Sequence, residues 1–263
     1  MRRIAAVARN TFREAARNKI LYSLLFFAVA LIVSALALGQ LSVHEERRMI
    51  RDVGLFGVDL FSVLIAIFVG VNLLYKELAL KTVYTILPKP IARWEFVFGK
   101  WLGVMATLVA QIVVMGLALG ATLVVSEGWD ALDAALPKAL WLLLMNVTIV
   151  TSVAMLFSSF SSPFLSGLFS LGVFVVGRSV PDVRALGQHI GGGAATVLNG
   201  VCAVLPNLHL FTPSGTALGA QVVSVHGAFV DSAYLIWTTT YAFGYSALVL
   251  ALAMLIFRKR DFV

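Results

Sequence analysis

The chain reads as an all-α membrane protein of six transmembrane helices, and three observations carry that expectation. Of its 263 residues, 60% are hydrophobic and only 13% charged, with a mean hydropathy of +0.95. Soluble domains are about a quarter charged. Apolar runs recur at lengths near the roughly 20 residues that cross about 30 Å of hydrocarbon. The basic residues gather on alternate connections, as Lys and Arg do on the cytoplasmic side of a membrane. One polytopic domain, 1–263, accounts for the length and leaves no room for a separate soluble one.

Residues 1–19 are expected to form an amphipathic interfacial helix. Ile4, Val7, Ala8, Phe12 and Ala15 share one side, and Arg2, Arg9, Arg13 and Arg17 fall opposite. Such a helix lies in the interface with its apolar face toward acyl chains and its Arg toward headgroups. Ala35-Leu36-Ala37 imitates a signal cleavage site, but the polar lead over 1–19 is too long for a typical n-region.

Spans are expected over 20–39, 55–75, 101–125, 139–157, 164–180 and 234–257. The segments HEERRMIRD (44–52), SEGWDALD (126–133) and SSFSSP (158–163) connect them. With a cytoplasmic N-terminus, the inside holds Arg2, Arg3, Arg9, Arg13, Arg17, Lys19, Lys76, Lys81, Lys89, Arg93, Lys100, Arg258, Lys259 and Arg260. Those are 14 of the 20 basic residues, while Arg47, Arg48, Arg51, Lys138, Arg178 and Arg184 fall outside. Both termini are therefore placed in the cytoplasm, in the inner membrane. Residues 181–232 carry Gly191-Gly192-Gly193 and the turn signals Pro206-Asn207 and Thr212-Pro213-Ser214-Gly215. They read as short helices on, or dipping into, the outer membrane surface.

The longest polar interruption with recognisable spacing is ELALKTVYTILPKPIARWEFVFGK, Glu77 to Lys100. Residues 78–87 lack Gly and Pro and suit about three helical turns. Pro88 and Pro90 stop that helix, since each lacks an N–H and biases its predecessor away from helix. The result is a short helix across the mouth of two spans.

Glu77, then Thr82 after four residues, Leu87, Pro90-Ile91, Arg93, Glu95-Phe96 and Gly99-Lys100 resemble the first cytoplasmic loop of ABC-2 type transporter permeases. The chain departs from that pattern at Lys81, where Gly is common, and at Pro88, where a small residue is usual. LPNLHLF (205–211) resembles the outer-side turn before the last span of some such permeases. FRKRDF (257–262) resembles their C-terminal ending. The resemblance implies a coupling helix over 78–87 seated in a separate ABC ATPase, with Glu77, Lys81, Thr82, Leu87, Pro90, Arg93, Glu95 and Lys100 as coupling residues. It also implies a second permease copy, most simply a homodimer, and export of a substrate. The other reading is a membrane anchor or mechanotransmitter that uses ATPase strokes without transport.

No catalytic chemistry is expected on this chain. A phosphate cradle needs G-x-x-x-x-G-K-[ST], whereas Gly99-Lys100 is a lone GK entering a span, so ATP and Mg belong on a partner ATPase. HExxH, CxxC and GxSxG are absent, and the single Cys202 builds neither disulfide framework nor Cys cluster. His44, His189, His209 and His226 fall on the outer side at irregular spacing and read as solvent-exposed rather than metal-binding. The net charge of +7 fits a cytoplasmic membrane surface rather than nucleic acid.

Polar residues within the spans either bond between helices or line a path. Asn72, Gln111, Asn146, Thr151, Thr239 and Tyr241 are the candidates for a translocation path. Asp59 reads as one more polar group, with no buried charge expected near the midplane, so energy is expected from outside the membrane.

Overall fold

A computed structural model describes residues 2–40, 46–79, 92–190, 192–216, 222–224 and 230–259. Nearly all of them are helical. The helices are α1 (Arg2–Ala15), α2 (Lys19–Gln40), α3 (Glu46–Ala79), α4 (Arg93–Glu127), α5 (Ala135–Ser158), α6 (Pro163–Arg178), α7 (Val180–Ile190), α8 (Gly192–Val204) and α9 (Ser232–Lys259). Five of these helices are long and apolar enough to cross a membrane, or six spans if the bent pair α6–α7 counts as one. The break between α6 and α7 is a bend of 64°.

One departure from an all-helical outer segment is a two-stranded antiparallel hairpin. Strands β1 (Ser214–Thr216) and β2 (Val222–Ser224) pair with Gly215 opposite Val223. The turn signals at Thr212-Pro213 open this ribbon instead of joining two helices. The expected coupling helix over 78–87 lies, apart from its first two residues, outside the described residues, as do Lys81, Thr82, Leu87 and Pro90.

α5 is the centre of the bundle, packed by α3, α4, α6 and α9. Its residues from Met145 to Met155 are buried without interruption. A helix apolar all round is what a buried position requires. α2 and α9 are the more exposed helices, and they turn Phe26, Phe27, Ile236 and Leu248 outward. Such faces suit a lipid environment, where apolar surface needs no cover.

Polar groups fix the corner of this bundle where α4 turns into α5. Buried Arg51 on α3 donates from NH1 to Asp133 Oδ2 at 2.9 Å and from NH2 to the Ala131 carbonyl at 3.0 Å. Asp133 Oδ1 in turn accepts the Ala135 N–H at 3.1 Å, at the start of α5. The turn from α4 is made by Gly128 at φ 85°, a region that suits glycine, and its N–H closes on the Val124 carbonyl. The expected polar turn over 126–133 is thus a clamp on α3 as well as a connection.

Candidate functional site

Two constellations stand out, one at the end of the bundle where α1 meets α4 and one inside it. The first mounts the start of α4, where the stretch over 77–100 ends. α4 begins at Arg93, where Glu95 Oε2 reaches back to accept the Ala92 N–H at 3.2 Å and satisfies an N-terminal donor. Four residues later α1 crosses. A Cβ added at Gly99 would stand 2.9 Å from Val7 Cβ, and one at Gly103 would stand 2.6 Å from the Ala8 carbonyl. Only glycine admits the backbones so closely. Ile4, Val7, Ala8 and Thr11 stand against Gly99 and Gly103 of α4, and Ala15 is buried; of the expected apolar row Phe12 is the one turned out, 36% exposed, and Arg2, Arg9, Arg13 and Arg17 point away exposed.

Aromatic contacts stiffen the same turns of α4 and join them to α9. Phe96 stacks on Phe257 at 6.4 Å between ring centroids, and Phe98 stacks on Trp101 at 5.8 Å. Trp101 Nε1 donates to Ser152 Oγ at 3.0 Å inside the protein. Lys100 is only 2% exposed, its Nζ 5.1 Å from the Phe96 ring centroid. A cation over an aromatic face is attracted by the ring quadrupole. Lys100 is therefore part of the mount rather than a surface group. Glu77 stands in the last turn of α3.

The second constellation centres on Asp59, which is 3% exposed and lies within the membrane-crossing stretch of α3. Its Oδ1 accepts from Asn146 Nδ2 at 2.9 Å, and its Oδ2 accepts from Arg178 NH1. Three helices, α3, α5 and α6, thus meet on one carboxylate. Arg178 is the last residue of α6, where the unpaired carbonyls of a helix end favour a cation. The guanidinium also lies over Phe174, 5.9 Å from its centroid. Two expectations change here: a buried charge does sit in the span, and Arg178 belongs to that site instead of the outer surface. The break after Arg178 holds it there, and a count of loop charges does not register such a break.

The other path candidates are held within the protein. Asn72 donates to the Phe68 carbonyl at 2.8 Å and Thr151 to the Val147 carbonyl at 2.7 Å, both one turn back. Thr239 accepts from Trp141 Nε1 at 3.0 Å. Tyr241 accepts the Asn207 N–H at 3.0 Å and belongs to a row with Tyr234 and Tyr245, which donate to the Leu210 and Val204 carbonyls. The row ties the segment over 204–210 to α9. Gln111 is buried, and among the described residues neither of its amide atoms has a hydrogen-bond partner. Of the six candidates, only Asn146 joins the charged cluster. Gly103 escaped the sequence reading, and Arg51 was read there only as a loop charge; a glycine four residues after Gly99, the small-xxx-small spacing, is the signal that marks the first.

Below Arg178 the seam between α3 and α6 opens into a cleft of about 530 Å³. Leu64, Phe68 and Val71 line it from α3, with Phe164, Leu168 and Leu171 from α6. Among the described residues no three His, Cys, Asp or Glu converge as metal ligands.

No curated relative matches the chain. The family model described as ABC-2 family transporter protein matches residues 5–262, from the second turn of α1 to the C-terminal ending. That span takes in both constellations, and the chain belongs to the ABC-2 family of transporter membrane proteins.

Proposed function

We propose that the chain is the membrane-spanning permease subunit of an ATP-driven exporter. It works with separate ABC ATPase subunits that carry ATP and Mg, and with a second permease copy, most simply its own. The carrying observation is the family match over 5–262. The cytoplasmic placement of both termini and of the stretch over 77–100 follows the distribution of Lys and Arg.

The mount of α4 supports a mechanical role for that stretch. A push delivered at 80–92 enters α4 at a point fixed by α1, α5 and α9, so it moves helices rather than bending a loop. Glu77, Lys81, Thr82, Leu87, Pro90 and Arg93 are the residues assigned to ATPase contact. Glu95 and Lys100 hold the helix that receives the stroke. Closure of the ATPase pair then drives spans two and three, α3 and α4, and opens the permease outward.

The test is pull-down of the co-expressed ATPase with Glu77→Ala and Arg93→Ala, together with permease-dependent ATP hydrolysis. Both variants are expected to insert normally and to lose ATPase binding or its stimulation. Normal binding and hydrolysis in both would remove the stretch as the coupling element. Reconstitution in liposomes separates transport from anchoring: a transporter shows substrate-stimulated hydrolysis, an anchor only constant hydrolysis.

A further inference from the structure

We propose that the seam between α3 and α6 binds a single-chain anionic amphiphile, Arg178 taking the acid group and the apolar cleft taking the chain. The proposal rests on the permease reading and names the class of molecule such a permease would carry.

Position is the first ground. Asp59 lies within the Arg48–Asn72 stretch of α3 that is apolar enough to cross a membrane. Arg178 lies at the bend between two halves, Pro163–Arg178 and Val180–Gly187, that together make one such stretch. The pair is thus set among apolar segments and not on a polar loop.

Exposure is the second. The Arg178 side chain is 33% exposed, whereas Asp59 is buried. A guanidinium has five N–H donors. Arg178 gives NH1 to Asp59 and lays its face on Phe174, which leaves an open edge. A charge set among apolar segments faces a polar cavity or a counter-group, not acyl tails. The open edge therefore marks a place for an anion.

The third is the cleft, built by the same two helices. Leu171 on its wall is seven residues, about 10 Å, from Arg178. Its 530 Å³ falls within the range of about 300–1,000 Å³ typical of small-molecule sites. One cation above an apolar trough selects one acid group joined to one apolar chain. A polyanionic head is disfavoured, because Asp59 already supplies one negative charge beside the guanidinium. With ligand present, Arg178 bridges two acids, and Asp59 keeps Asn146 as donor to its other oxygen.

The probe is a photoreactive diazirine derivative of palmitic acid, compared with its methyl ester, on the full-length chain in neutral detergent. The labelled peptides are identified by mass spectrometry. The acid is expected to label 64–72 and 163–171 on the order of tenfold more than the ester, the size of one charge-assisted hydrogen bond. Asp59→Asn is expected to raise acid labelling, since Arg178 loses its resident partner. The neutral double variant Asp59→Asn/Arg178→Gln leaves no uncompensated buried charge and is expected to label equally with acid and ester. Leu168→Trp, which fills the cleft, is expected to lower both. Equal labelling of the native chain by acid and ester, or an acid preference that survives the double variant, overturns the proposal. So does labelling that appears only after a second copy is dissociated, because the seam is then a subunit interface. The measurement needs neither ATPase nor ATP, so its failure leaves the permease reading standing.

Discussion

Asp59 and Arg178 differ in what each leaves behind when its partner is removed. Arg178→Gln strands a carboxylate that is 3% exposed, and breaking a buried pair in this way costs about 3–5 kcal/mol. Asp59→Asn strands a guanidinium whose edge is open, so its cost is expected to be the smaller. Unfolding followed by tryptophan fluorescence in detergent should rank Arg178→Gln below Asp59→Asn, with the neutral double variant recovering most of the loss. Equal losses would mean that the two charges are equally buried. Gln111 gives a second test at this scale. Both its amide atoms are buried without a partner among the described residues, a penalty of about 1–3 kcal/mol, so Gln111→Leu is expected to raise the unfolding temperature. A loss of stability would show that Gln111 is bonded in the working assembly. The sequence listed Gln111 and Asn146 correctly as polar groups inside spans. It placed Arg178 outside, because a Lys or Arg near a span end is counted as a loop charge until the break after it is known.

At the level of single elements, the α1–α4 crossing is the sharpest local rule in the molecule. Gly103→Val would drive a side chain into the Ala8 backbone and Thr11, neither of which can yield cheaply. α1 is expected to detach, and trypsin is expected to cut after Arg9 and Arg13 several-fold faster than in the native chain. Unchanged cleavage would mean that the crossing tolerates a shift. The tyrosine row offers a graded comparison on α9. Tyr241→Phe leaves the Asn207 N–H without its acceptor, whereas Tyr245→Phe frees only a carbonyl in an exposed pair. Amide exchange over 204–210 is therefore expected to quicken more in the first than in the second. The amphipathic pattern of α1 was plain from Ile4, Val7 and Ala8, but its destination was not. An apolar stripe looks the same whether it will meet lipid or two glycines. Gly99-Lys100 was legible as a family mark, and the structure supplies its physical sense: one residue seats α1, the next is buried over Phe96.

Across the whole molecule, composition and span length carried most of the fold, because about 30 Å of hydrocarbon leaves so few ways to satisfy a backbone. Helix ends were less legible: α4 starts at Arg93 and α3 runs to Ala79, each well past the apolar run that announced it. Polar residues extend a helix without contributing to hydropathy. Orientation rests on charge, and it is open to a direct test. In a Cys202→Ser background, a cysteine at Asp130 is expected to react with an impermeant thiol reagent from outside, and one at Asn10 is not. The reverse pattern would invert the molecule and place the stretch over 77–100 away from ATP.

The seat of α1 also sets an order of events during synthesis. Val7, Ala8 and Thr11 leave the ribosome first, yet Gly99 and Gly103, on which they rest, follow about ninety residues later. At about 5–20 residues per second the wait is roughly 5 to 20 s. Through that interval the apolar stripe of α1 has no protein partner, and the bilayer surface is the nearest place to shelter it, with Arg9 and Arg13 turned to the headgroups. The nascent helix is thus a lodger on the membrane before it becomes a brace on α4, and its two faces serve these two addresses in turn.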